Sequence, residues 1–180
     1  MKRATHIATA LLVSAFFVEL APPGCHSLLA LLMYGAAVTL SQIGIDAFGH
    51  TWVTYKGERF PRRNLLHSLP GVVAWGLGFG APFLLSCPLY TLGVVAGMLV
   101  HWAEDLVTEG GVYLGKSRVR LPFRVRYDDP LANRAAILAF TALFIIFLRG
   151  DALTLEGLGR PAGIYYLAVL VLSLLAFIAV

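Results

Sequence analysis

The sequence predicts an all-α integral membrane protein, a single domain over residues 1–180 built as one helical bundle of about five to six spans, with a basic cytoplasmic loop patterned for a short hairpin. Three observations lead there. Of the 180 residues, 58% are hydrophobic and 13% charged, where soluble domains carry about 25% charged residues. Mean hydropathy is +0.78, and the apolar residues fall in runs separated by polar loops. In a bilayer, such runs satisfy their backbone groups only as helices. The net charge of +4 comes from basic residues confined to the loops, a distribution that sets topology rather than lining a nucleic-acid groove, and no nucleic-acid partner is expected. Two cysteines are too few for a disulfide framework or a thiolate metal site.

Lys2 and Arg3 precede an apolar run over about 4–21. That is also the pattern of a secretory signal peptide, and the run is expected to be retained as the first span. Pro22-Pro23-Gly24 makes a turn, and a second span follows over about 27–45. Residues 46–68 form a polar, basic loop. The third and fourth spans cover about 69–87 and 88–107, joined through Ser86-Cys87-Pro88, a junction short enough for antiparallel neighbours. In the loop 108–133, Val119-Arg120-Leu121 and Phe123-Arg124-Val125-Arg126 alternate as in a hairpin. The fifth span, about 134–149, has an apolar core of only fourteen residues, Ala135 to Leu148. Against the roughly 20 residues of a full crossing, this predicts a tilted or re-entrant segment. The sixth covers about 163–180.

Six spans with the N-terminus inside place 12 of the 14 Lys and Arg residues on the inner side, leaving Arg149 and Arg160 outside. The expected location is the cell membrane with a cytoplasmic N-terminus. Cys25 and Cys87 then fall in outer turns, where a disulfide can persist.

The polar residues are less evenly spread than the span pattern requires. His101 and Asp105 are four apart at the end of the fourth span, so they share a helix face and can address one ion. Asp46 and His50 repeat the spacing after the second span, His67 precedes the third, and His6 begins the first. Six candidate ligands, His6, Asp46, His50, His67, His101 and Asp105, thus reach one side of the membrane from four helix ends. Ionisable groups at such places point to function. Imidazole and carboxylate without thiolate suit zinc, manganese or iron(II), and the expected cofactor is a divalent transition metal, zinc first, as one or two ions. An ion with an open position makes a water-derived nucleophile near neutral pH, which predicts hydrolysis. Glu104 and Glu109 are candidate bases, and Arg62, Arg63 and Arg124 candidate phosphate binders. Taken singly, each histidine has a structural alternative, Asp46 can cap a helix, Asp105 and Glu109 can pair the nearby arginines, and Gly110-Gly111 reads mainly as a helix stop.

These segments, in order, resemble a known family. Thr5-His6, Ile45-Asp46 to His50, Arg63-Asn64-Leu65-Leu66-His67-Ser68, His101 to Asp105-Leu106, Thr108, Gly110-Gly111-Val112 and Leu121-Pro122-Phe123 are similar to the YdjM-type membrane-bound, metal-dependent hydrolases. Pro61-Arg62-Arg63, His67-Ser68-Leu69-Pro70, the Thr108 to Tyr113 run and Asp128-Asp129-Pro130-Leu131-Ala132-Asn133 look closer still to that family's archaeal relatives of unknown function. The resemblance covers roughly residues 5 to 134. It implies a multi-span membrane protein of zinc-hydrolase type, distantly similar to zinc-dependent phospholipase C and nuclease folds, with the six residues above as ligands. One departure is plain. The family's Pro-Asp-x-Asp-His pattern stands here as Gly44-Ile45-Asp46-Ala47-Phe48-Gly49-His50, one acidic residue fewer and with the histidine two positions later.

The leading expectation is a hydrolase of a phosphoester or lipid headgroup at the cytoplasmic face, with membrane lipid as its surroundings. The alternative is a non-catalytic subunit of a larger membrane complex or homo-oligomer. In that case the His/Asp cluster is structural and glycines such as Gly76, Gly78, Gly80, Gly93 and Gly97 serve helix packing. A transporter fits less well, since its charges belong near midplane rather than at one edge.

Overall fold

Helix starts are written in the sequence as capping residues followed by proline. Ser68 accepts a hydrogen bond from the Gly71 amide at the head of α3 (Leu69–Gly80), with Pro70 in the first turn. Asp129 accepts one from Ala132 at the head of α5 (Pro130–Phe147), with Pro130 first in the helix. Ser27 caps α2 (Leu28–Phe48) in the same way. Each cap satisfies one of the amides a helix leaves unpaired at its start. The remaining helices are α1 (Arg3–Leu20), α4 (Pro88–Leu106), the single-turn α6 (Leu155–Leu158) and α7 (Pro161–Ala179). The structure, a computed structural model, describes residues 1–55, 58–108, 110–114, 117–122, 125–148 and 154–180, with the backbone alone at 51–53, 55, 58–62 and 155.

Among the described residues four helices, α1, α2, α5 and α7, are long and apolar enough to cross a membrane. On α2, α5 and α7 burial is inverted relative to a soluble bundle. Leu29 and Leu32 on α2, Ile145 and Ile146 on α5, and Leu174, Leu175 and Ile178 on α7 are all exposed. A large exposed apolar belt marks a surface that faces something other than water, which suits a membrane protein.

Three sequence expectations change. The fifth helix has 18 residues rather than a fourteen-residue core, because the Asp129 cap and Pro130 start it ahead of the apolar run. The third is shorter than expected: α3 stops at Gly80 and a 3-10 turn carries the chain to Phe83, leaving it below spanning length. A hairpin is found ahead of the segment 119–126 where one was expected, with β3 (Val112–Leu114) pairing antiparallel to β4 (Ser117–Val119), while residues 123–124 of the expected one lie outside the described residues. Val125 instead bridges to Thr108. A second hairpin joins β1 (His50–Tyr55) to β2 (Glu58–Arg63), with His50 opposite Arg63. It was not read from the sequence, since Pro61 and the charges of 58–63 are poor strand signals.

Helix α1 is the centre of the bundle, touching α2, α4, α5 and α7. It packs closely on antiparallel α4 where Gly97 meets Ala10. A Cβ added at Gly97 would lie 3.3 Å from the Ala10 Cβ, tighter than ordinary van der Waals contact, so the absent side chain eases the close approach of the two backbones. One turn further along each helix stand His6 and His101. At the opposite end of the same helix pair, Cys25 and Cys87 form a disulfide, with Cα atoms 5.8 Å apart. The run beginning Asp128 also has a structural role. Asn133, fully buried, accepts hydrogen bonds at Oδ1 from the Thr5 hydroxyl (2.6 Å) and the Lys2 amide (2.9 Å), tying the start of α5 to the start of α1.

Candidate metal centre

Three histidines from three elements converge at the end of the bundle remote from the disulfide. His6 comes from the first turn of α1, His101 from the last turns of α4, and His67 from the 3-10 turn that enters α3. All three are buried. The His6 and His101 rings stack with centroids 4.0 Å apart, and those of His67 and His101 lie 5.6 Å apart.

Each ring is held through Nδ1 by an acceptor. His6 donates to Glu104 Oε2 at 2.6 Å, His67 to the Gly49 carbonyl at 2.9 Å, and His101 to Gln42 Oε1 at 2.9 Å. A carbonyl or carboxylate oxygen only accepts, so Nδ1 carries the proton in every case and Nε2 presents a bare lone pair. Those lone pairs face Asp105. The Nε2 atoms of His6, His67 and His101 lie 3.6, 3.7 and 3.6 Å from its carboxylate oxygens, and His101 Nε2 is 3.8 Å from Asp46 Oδ1.

These separations are too long for hydrogen bonds, and among the described residues His67 Nε2 and His101 Nε2 have no hydrogen-bond partner. Buried acceptors that face one another without a donor repel, and burying an unpaired polar group costs about 1–3 kcal/mol. A cation between them removes both penalties. Two donors at about 2.0–2.2 Å from one zinc at a tetrahedral angle would sit about 3.3–3.6 Å apart, close to the spacing seen. His6, His101 and Asp105 form one group whose donor atoms all lie within 4.8 Å of one another, and Asp46, His67 and His101 form a second. The donor set therefore fits a divalent ion, with Glu104, Gly49 and Gln42 as the outer partners that orient the ligands.

The carboxylates are themselves held. Asp105 Oδ1 accepts from Arg63 Nη2 at 2.6 Å, and Asp46 Oδ2 from Arg3 Nε at 3.4 Å. Arg63 also donates to the Gly111 carbonyl and reaches the Thr108 hydroxyl, so the segment after α4 forms a seat for this guanidinium besides ending the helix. Burial also acts on His67, pushing it down to about 4 despite the opposing field of Asp105. The ring is therefore neutral, as a ligand must be.

Five of the six expected ligands, His6, Asp46, His67, His101 and Asp105, are brought together. His50 stands beside them. Its ring is 4.6 Å from that of His67, its Nδ1 donates to the Asp46 carbonyl at 2.9 Å, and it belongs to neither group. His26 is remote and bonds the Val18 carbonyl through Nε2. Glu104, expected as a base, is committed through Oε2 to His6. Arg63, expected on phosphate, is committed to Asp105. The Arg62 side chain, Glu109 and Arg124 lie outside the described residues.

No family model, curated protein or solved structure matches this chain. The site's description thus rests on its own geometry.

Two contributors were missed in the sequence. Gln42, fully buried, is an amide in an otherwise apolar stretch, four residues before Asp46 and so on the same helix face. That spacing was the available signal. Gly49 matters because a Cβ there would lie 2.3 Å from the His67 ring. Only glycine lets the imidazole rest against that carbonyl.

Proposed function

We propose that this chain is a membrane-embedded, metal-dependent hydrolase of phosphoesters, with lipid headgroups as the nearest substrate class, working at the cytoplasmic face. The observation that carries the reading is the set of three buried imidazoles, each locked by an outer acceptor so that its Nε2 lone pair turns toward two carboxylates. His6, His67, His101, Asp46 and Asp105 would hold the ion, and zinc is the first candidate on donor chemistry. When bound, such an ion makes water acidic enough to serve as a nucleophile near neutral pH. Glu104 fixes the His6 tautomer, and Arg63 keeps positive charge beside the site. Arg62 and Arg124 are the further cationic residues for a phosphoryl group. Bare lone pairs that meet at one point favour a bound ion over a cluster that only stabilises helix contacts. The order of motifs shared with YdjM-type hydrolases supports the same reading.

The test is metal analysis of the detergent-purified protein together with hydrolysis of phospholipids in mixed micelles. We expect bound transition metal, phosphoester cleavage that a chelator abolishes and zinc restores, and loss of both in His101→Ala. Absence of metal, with cleavage undiminished in that variant, would refute the proposal.

Two independent features support the orientation. Of the Lys and Arg residues, 12 of 14 fall on the side of the site under a six-span topology, and positive charge stays inside. The Cys25–Cys87 disulfide closes the opposite end, as suits an oxidising compartment. In a variant with both native cysteines replaced by serine, a cysteine introduced at exposed Leu65, beside the site, should resist an impermeant thiol reagent in intact cells and react after lysis. Labelling in intact cells would reverse the topology.

A further inference from the structure

The two donor groups share His101, and this limits how many ions the site can take. Its Nδ1 is spent on Gln42 Oε1 at 2.9 Å, leaving Nε2 as the one nitrogen facing both Asp105 and Asp46, at 3.6 and 3.8 Å. One imidazole nitrogen offers one lone pair and binds one ion. Two ions would therefore need another shared ligand, and two-metal sites that hold ions about 3.5–4 Å apart clamp attacking and leaving oxygens between them.

Arginines constrain both carboxylates. Asp105 gives Oδ1 to Arg63, faces His6 with that same oxygen, and turns Oδ2 toward His67 and His101. Asp46 gives Oδ2 to Arg3 and turns Oδ1 toward His101. Each carboxylate thus has one oxygen committed to an arginine. Glu104 spends Oε2 on His6 and leaves Oε1 buried without a hydrogen-bond partner among the described residues. Its Oε2 lies 2.6 Å from His6 Nδ1, a hydrogen-bond distance and shorter than the roughly 3.3 Å expected of two tetrahedral ligands of one zinc.

We propose that the centre holds a single divalent ion bound through His101, the residue common to both donor groups, with its other ligands drawn from His6, His67, Asp46 and Asp105 and with Arg63 supplying the charge that a second cation would bring. The inference rests on the metal-centre reading above and goes beyond it in fixing nuclearity. The 3.6–3.8 Å spacings suit a tetrahedral ion, which would take three or four donors from this set, three of them leaving one position for water or a substrate oxygen. The positive charge that a second ion would bring beside a phosphoryl oxygen comes instead from the field of the Arg63 guanidinium, whose donors are held by Asp105 and Gly111.

Manganese(II) is a suitable probe, because its paramagnetic spectrum distinguishes an isolated ion from a coupled pair. Full-length protein, purified in detergent and stripped with chelator, is titrated with manganese, and bound metal is counted by elemental analysis. The expected result is one equivalent per chain with the six-line signal of an isolated ion. His6→Ala and His67→Ala, which come from different donor groups, should each weaken that same equivalent by roughly a hundredfold or more, beyond the ~10–100-fold cost of losing an outer partner. Two equivalents with an exchange-coupled spectrum would overturn the proposal. So would a His6→Ala protein that keeps one equivalent at unchanged affinity, because the His67 group would then be an independent site. No binding at all removes this inference and the metal centre together. One bound ion without phosphoester cleavage upholds this inference and removes only the hydrolase reading.

Discussion

Asp105→Asn is expected to abolish metal binding and, in the same variant, to destabilise the metal-free protein. Asp105 is the one group faced by the Nε2 atoms of all three converging histidines, at 3.6–3.7 Å, and its carboxylate is almost wholly buried. An amide lacks the charge that holds a cation, so affinity should fall by more than the ~10–100-fold that outer partners contribute. The effect on the metal-free form has a different origin. Arg63, with a side chain only 16% exposed, is paired to Asp105 at 2.6 Å. Removing one partner of a buried ion pair strands the other, at a cost of about 3–5 kcal/mol. Metal titration and a thermal midpoint in detergent measure the two effects separately. Adding Arg63→Met to Asp105→Asn should recover much of the lost midpoint without restoring the metal. An Asp105→Asn protein that still binds metal at wild-type affinity would refute the site.

The second large effect is a pH slope in the metal-free protein that belongs to His67. Burial lowers this group in the folded state to about 4, from an ordinary 6.5. Between those values the unfolded chain binds the proton and the folded chain does not. Stability therefore rises with pH through this window and is lost as pH falls from 6.5 toward 4. At about 1.4 kcal/mol per unit, the loss is on the order of 3 kcal/mol. The thermal midpoint of chelator-stripped protein should drop between pH 7 and pH 4, and His67→Gln should make that dependence shallower. A variant that keeps the full slope would assign it to other groups.

The fold was legible wherever an apolar run was long and uninterrupted, as in α1, α2 and α7. It was misjudged where local chemistry set the boundary. For α5, the Asp129 cap and Pro130 begin the helix before its apolar residues do, and hydropathy carries no trace of a cap. For α3, the run over 69–87 looked long enough to cross, but the helix ends at Gly80. The β1–β2 hairpin escaped because its pairing crosses a segment that reads as a charged loop. Within the site, ligands were legible because His and Asp are costly at the ends of apolar helices. Their outer partners were not. Gln42 is a neutral amide, the Gly49 acceptor is a main-chain carbonyl that every residue possesses, and Glu104 shows its task only once His6, 98 positions away, lies against it. Arg63 was found but misassigned, since a sequence shows a cation without showing which anion already holds it.

The central position of α1 also orders events in time. It leaves the ribosome first, yet His6 meets its stacking partner only after His101 has been made, and the Thr5 hydroxyl meets Asn133 later still. Its contacts with α7 are completed after those with α4 and α5. The first helix must therefore stay available while the others arrive around it, and the ion's binding place comes into being late in biogenesis, once α4 has closed against it.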